Sequence, residues 1–413
     1  MQILKTSLWA RSMALYFSLG AGVIVILHVV FSYFGFLHTD VDSARYMLSA
    51  LIQSEAAIVA LVVTLSLVAV QLAAQSYSAR VIEVFKGTPD LWILMGVYGF
   101  AMFWGLGVLK LIEKANPQLC AEEYICLSNL EGYISGAYYL GLFAFVALVP
   151  YFWKTLEMLK PSVVINILAK EINKKNILSA VQEDREKMED GITGFSFSRG
   201  FPRIEKDPIL PIIDIVRSSL MKFDFETVKE GLKAIKDRVD YILNNETFTE
   251  EEERRVSIYI FNHLTAIGKL AASRKDEVSI AEVINCMQKL GIRGSMKELP
   301  NVTLFSIHYL DQIFDSLRFF QFESPIRQVV DSLEYIGLIG ANRRFEIAIE
   351  SAATSLEKIG IAAAKDKFGD TVLIAWALER LLERAKNQNL AKAIQQIEEC
   401  IKKVNEALNK SEK

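Results

Sequence analysis

From the N-terminus to about residue 153, apolar residues follow one another in runs longer than a water-soluble helix needs. Met13–Phe36 and Ala56–Ala79 each hold 24 uncharged residues, Leu91–Leu109 holds 19 and Gly132–Trp153 holds 22. A bilayer core of roughly 30 Å takes about 20 residues in helix. The pattern predicts a transmembrane domain over residues 1–153, with helices near 13–36, 47–78, 91–109 and 132–153. After Trp153 the apolar residues recur at steps of three and four, the period of amphipathic helices. Residues 154–211 read as an amphipathic helix, Lys160–Glu189, and a linker rich in Gly and Pro, with a short strand over Ile192–Ser198. Residues 212–413 read as helix almost throughout, as a C-terminal cytoplasmic domain.

That last region carries a repeat. Leu264-x-x-Ile267-Gly268 returns as Met287-x-x-Leu290-Gly291, Leu333-x-x-Ile336-Gly337 and Leu356-x-x-Ile359-Gly360, with starts separated by 23, 46 and 23 residues. At the intervening position the chain reads Leu310-Asp-Gln-Ile313-Phe314, so only the glycine is lost. A 23-residue unit is one helix and a turn, and two units make a helical-hairpin repeat of solenoid length. The fold class expected is all-α: four transmembrane helices followed by a helical, solenoid-like domain, with an irregular helical bundle as the alternative. Leu264, Leu290, Ile313, Ile336 and Ile359 should then face the inter-helix core. The repeat glycines mark either close helix approaches or helix ends.

Charge sharpens the division. Residues 1–153 hold 7 Lys/Arg and 9 Asp/Glu, leaving 46 − 7 = 39 and 49 − 9 = 40 for the rest. With 52% hydrophobic residues the chain is not disordered, and a net charge of −3 gives no help to nucleic-acid binding. Lys and Arg in the short flanks set orientation. An inward N-terminus puts Lys5, Arg11, Arg80, Lys86, Lys154 and Lys160 inside, and Arg45, Lys110 and Lys114 outside. Both termini are therefore expected in the cytoplasm of a multi-pass plasma-membrane protein.

The second helix differs from the other three. Gln53, Ala57, Ala60, Thr64, Gln71 and Gln75 recur at spacings that keep them on one face, among Leu, Val and Ile. Amides are costly to leave in lipid, so this stripe is expected to meet water or protein. It is a candidate pore lining, with Val63, Leu67 and Val68 as a dewetting constriction. Asp40, Asp42 and Glu55 would place negative potential at its outer mouth. The alternative is packing of the stripe against helices of the same subunit. Small residues mark ordinary helix contacts elsewhere: Ala14, Ser18 and Gly22, then Gly96, Gly99, Gly105 and Gly107, then Gly132 and Gly136.

Recognisable catalytic motifs are missing. The chain has no phosphate loop, Rossmann glycines or Gly-x-Ser-x-Gly, and its four histidines show no zinc-site spacing. No cofactor, metal or enzymatic step is expected. Glu250–Glu253 after Thr249 reads as a helix start with a capping box, or else as an ion site. Cys120 and Cys126 share an outer loop and are a candidate disulfide, or two separate thiols. Cys286 and Cys400 should stay reduced.

Residues Asp42-x-Ala44-Arg45-x-x-Leu48-Ser49-Ala50-Leu51, Val68-Ala69-Val70-Gln71-Leu72-Ala73 and Ser76-Tyr77-Ser78-x-Arg80-Val81 resemble the prokaryotic family of predicted membrane proteins known as domain of unknown function 2254. Tyr77 stands for the family's Phe and Ala79 for its Pro. A looser echo lies at Asp214–Thr227, where Asp224-Phe-Glu-Thr227 lacks the family's Pro. The resemblance implies four membrane helices and a cytoplasmic C-terminal domain, and implies no activity. From the residues, the leading expectation is a homo-oligomeric, cation-permeable channel whose partners are lipid, further copies of itself and a permeant inorganic ion. The other is a membrane-anchored scaffold whose helices bind a partner protein.

Overall fold

The computed structural model describes residues 2–34, 41–76, 89–114, 127–189, 207–366 and 371–411. These are helical almost throughout, with no strand among the described residues. The chain forms two compact units, residues 1–164 and 165–413. The short strand expected at Ile192–Ser198 lies outside the described residues, as do Asp40, Cys120 and Cys126.

In the first unit, α1 (Gln2–Phe34), α2 (Val41–Ser76), α3 (Pro89–Lys114) and α4 (Leu127–Met158) each contain a stretch long and apolar enough to cross a membrane. The helices α3 and α4 form a central pair, and α1 and α2 each pack on both of them. At one end the Arg45 guanidinium donates to the Ile112 carbonyl at 3.1 Å, tying the start of α2 to the end of α3. At the other, Lys154 lies 2.6 Å from a buried Asp90 carboxylate, tying the end of α4 to the start of α3. The second helix begins at Val41, six residues before Met47, because Asp42 and Arg45 both find partners there.

Of the small residues expected at contacts, only some touch anything. A side-chain carbon built on Gly105 would meet Ile52 at 3.1 Å, and one on Gly136 would meet Trp104 at 3.7 Å. Around Gly22, Gly96, Gly99, Gly107 and Gly132 nothing stands within 4 Å. Ala14, Ser18 and Gly22 are a turn apart on an exposed face, whereas Tyr16 and Gly20 face inward.

The second unit begins with α5 (Pro161–Ala169) running in from the first, then α6 (Lys174–Glu189), so the helix expected over Lys160–Glu189 is interrupted. The Asn173 side chain accepts the Asn176 backbone N–H at 2.9 Å and starts the second segment. Next come α7 (Leu210–Met221), α8 (Phe225–Asn245), α9 (Glu250–Ser273), α10 (Glu277–Lys297), α11 (Pro300–Phe319), α12 (Glu323–Asn342), α13 (Glu346–Asp366), α14 (Thr371–Asn387) and α15 (Ala391–Ser411). Every helix from α7 to α13 packs on the second helix after it, an unbroken series of stacked pairs. This is solenoid packing, and Leu264, Leu290, Ile313, Ile336 and Ile359 are all buried in it.

The hydrogen bonds carry the same period. Tyr309 donates to Asn262, Gln328 to the Ala281 carbonyl, Lys358 to Asp311 and Arg380 to Glu334, each pair 46 or 47 residues apart. The repeat glycines serve close approach, not helix ends. A carbon on Gly291 would strike Ser306 and Ile336, and one on Gly337 would strike Leu381 and Ala352. Each such glycine receives both the next helix and the one after it. Lys275, Glu298, Gln321 and Arg344 make the turns, with φ of 56–58° at intervals of 23 residues.

Candidate functional site

The sequence places the candidate pore residues on α2, and the fold decides which way they face. A residue 100° further round the helix axis follows at each step, so 48, 55, 62 and 69, seven apart, share a seam. Leu48, Glu55, Val62 and Ala69 are all buried against α3 and α4. The opposite face carries Gln53, Ala57, Ala60, Thr64 and Gln71, and all five are exposed in the single chain. Packing of this stripe inside its own subunit is thereby overturned for these five. Gln75 lies in the last turn of α2, with its side chain outside the description. Val63, Leu67 and Val68 are exposed beside the stripe.

The stripe's polar groups are partly satisfied within the helix. The Thr64 hydroxyl donates to the Ala60 carbonyl at 2.8 Å, and the Gln53 amide reaches Ser49 Oγ at 3.5 Å. Gln71 has no such bond among the described residues. What the face offers is small side chains, one hydroxyl and amides along a helix otherwise clothed in Leu and Val.

Glu55 is not on the face of the stripe. It stands 200° from Gln53 around the axis, on the buried seam. It also sits 14 residues into the helix, about 21 Å along it at roughly 1.5 Å per residue. The earlier helix start at Val41 moves it from the end toward the middle. Asp42 does sit at the helix start, exposed, 3.9 Å from Arg45.

Around Glu55 the structure gathers groups that sequence reasoning missed. Tyr98 of α3 is buried, close enough for the Glu55 charge to act on its hydroxyl. Gly141 of α4 lies directly beneath the carboxylate: a carbon there would stand 2.8 Å from Glu55 Oε1 and closer still to Leu51. The seven-residue spacing of Leu48, Glu55, Val62 and Ala69 was the available signal, since it puts the acid in an apolar core seam.

In the second unit the acidic run after Thr249 is spent on the protein itself. Thr249 and Glu252 form the reciprocal capping box, and Glu252 pairs with Lys174 at 2.9 Å. Glu251 binds Arg255, and Glu253 accepts the backbone N–H groups of Asn301 and Val302, capping α11 from a neighbouring helix. No cluster of three His, Cys, Asp or Glu able to hold a metal occurs among the described residues. Asp207 is buried, accepts from Tyr259 and the N–H groups of Ile209 and Leu210, and lies 3.3 Å from His263. Burial pushes its carboxyl up, but the bonds from His263 and Tyr259 and the start of α7 outweigh that, leaving it below the usual carboxylate range. Cys286 and Cys400 are free and buried, and burial raises both thiols to about 12.

Residues 5–196 match the model of a family described as "Predicted membrane protein (DUF2254)". The resemblance read from residues 42–81 falls inside that segment, while the echo at 214–227 lies beyond it. No curated protein matches the sequence. Among solved structures, a "Circular tandem repeat protein with novel repeat topology and enhanced subunit contact surfaces" is similar at 10% identity and a TM-score of 0.37, covering 98% of this chain and 97% of its own.

Proposed function

We propose that the protein is a homo-oligomeric, cation-permeable channel of the cell membrane, with both termini and the C-terminal unit in the cytoplasm. Several copies would set α2 around a common axis, and the solenoid would assemble or gate them. The observation that carries this reading is the outward face of α2, where Gln53, Ala57, Ala60, Thr64 and Gln71 are exposed on a membrane helix. Amides left in hydrocarbon without full partners are costly, and water at a central axis relieves that cost. Small residues leave room for an ion, and Val63, Leu67 and Val68 beside them supply an apolar narrowing. Asp42 would hold negative potential at the outer end. The positive-inside bias of the flanks supports the orientation. No catalytic step and no cofactor enters this reading.

A scaffold anchored in the membrane is the second reading. It is favoured by exposed aromatic residues on the solenoid, Phe319, Tyr335 and Trp376, which suit a protein partner. Planar-bilayer recording of the purified protein separates the two. The channel reading expects cation current that Thr64→Leu or Gln71→Leu reduces. Silence across voltage, calcium and membrane tension, or current untouched by both substitutions, rejects it in favour of the scaffold.

A further inference from the structure

The seam of α2 that faces α3 and α4 contains one ionisable group. Leu48, Val62 and Ala69 fill the other positions of the seven-residue series, and Glu55 takes the place of an apolar residue among them. It is 1% exposed, within a span that is otherwise uncharged from Met47 to Gln71. Its Oε2 meets no hydrogen-bond partner, and Glu55 enters no ion pair among the described residues. Among the described residues, Arg45 is engaged at the Ile112 carbonyl and Asp42, and Lys154 at Asp90. Lys110 also has a partner. A second buried oxygen without a hydrogen-bond partner, the Tyr98 hydroxyl, belongs to a residue likewise 1% exposed, and the Glu55 charge acts on it. From α4, Gly141 faces the carboxylate with no side chain, leaving the space its Oε1 occupies. Among the described residues no charged side chain of α1, α3 or α4 acts on Glu55, and Tyr98 is the titratable group that feels it.

A carboxylate closed into an apolar bundle must be neutralised, because an uncompensated charge taken out of water there is strongly disfavoured. One negative charge and two oxygen atoms define what can neutralise it. We propose that Glu55 and Tyr98, over Gly141, form an intramembrane binding site for one exchangeable monovalent cation, a proton or an alkali-metal ion, within each subunit. The site faces away from the exposed stripe of α2, so it stands whether or not that stripe lines a pore. Intramembrane carboxylates of this kind are the places where membrane proteins bind or relay cations.

The test is infrared difference spectroscopy on the full-length protein in liposomes, with two arms. In one, pH is stepped at constant salt; in the other, NaCl or KCl replaces choline chloride at constant pH. A carboxyl band that changes in the pH arm alone identifies a proton, and one that changes in the salt arm identifies an alkali ion. Glu55→Gln should abolish the band. Tyr98→Phe, which keeps the ring and the packing, should move its midpoint, and this variant carries the assignment if Glu55→Gln does not fold. Identical spectra for the native protein and Glu55→Gln in both arms would overturn the site. So would a band in native protein that Tyr98→Phe leaves unmoved when Glu55→Gln cannot be obtained.

Discussion

In the C-terminal unit most apolar residues of the helices turn inward, with exceptions such as Phe319, Tyr335 and Trp376, and the exposed faces are rich in Lys, Arg, Asp and Glu. In the membrane unit Leu61, Phe103 and Val149 are exposed, at 56, 77 and 66%, and only 11% of the apolar stretch of α2 is buried. The same side chains sit on opposite sides because the surrounding solvent differs. Water drives the solenoid to hide apolar area. Lipid exerts no such pressure between helices, so contact there rests on close packing and polar ties at the ends. The informative residues are therefore inverted as well. In the solenoid they are the buried polar ones: Asp207, Glu253 and Glu334 each hold a helix start or a basic partner. In the bundle they are the polar residues facing outward on α2, and Glu55, a buried acid that, unlike Asp90, has no basic partner among the described residues.

The comparison can be broken most sharply at the solenoid core. Ile336→Ala should cost about 2–5 kcal/mol, the usual range for a buried aliphatic. Hydrogen-exchange mass spectrometry of the full-length protein would read it as lost protection in α10–α14, with α1–α4 unchanged. A loss under about 0.5 kcal/mol would mean Ile336 is not packed as the repeat requires.

Acid comes next. The Asp207 carboxyl titrates below its unfolded value, so its contribution is present above the unfolded pKa and lost as pH falls through the lower folded one. Hydrogen bonds to a charged group are worth about 1.5–3 kcal/mol. Protection of α7 and α9 should therefore fall below about pH 4, near the ordinary carboxylate pKa of an unfolded chain. Asp207→Asn should already lack that protection at neutral pH and show a flatter acid response. Equal acid profiles in both proteins would remove Asp207 from this role.

Thr249→Ala should cost about 1 kcal/mol, the typical value of an N-cap, felt at the first turn of α9. Because Glu253 caps α11, loosening there should also appear at Asn301 and Val302. Exchange confined to α9 would show that the two starts are not coupled.

The smallest effect belongs to the membrane unit. Thr64→Leu places an apolar side chain on an exposed face and should change the thermal stability of the single chain by less than about 0.5 kcal/mol. A large loss of folding, rather than of current, would mean that Thr64 supports its own subunit. Cys286 and Cys400 give a control for the other unit: with thiols raised to about 12, neither should react with a soluble alkylating reagent at neutral pH until the solenoid unfolds.

Hydrophobic pattern alone determined the number and type of the membrane helices, the helical second unit and its 23-residue beat. These depend on runs and periods along one chain. The stripe on α2 was legible too, because residues at steps of three, four and seven must share a face. Which face meets α3 and α4 was not, since that choice depends on how well each side packs against partners distant in sequence. Glu55 shows the consequence: its type and rough position read as an outer acid, and only the packing of its seam, with Gly141 under the carboxylate, turned it into the bundle. The repeat glycines show it again. A glycine after Leu-x-x-Ile suits a helix end or a close approach equally, and stacked neighbours such as Ser306 and Ile336 at Gly291 selected the approach. Tertiary structure likewise decided that Glu253 caps a helix 48 residues away, because backbone N–H groups at a helix start donate to any carboxylate that the fold delivers to them.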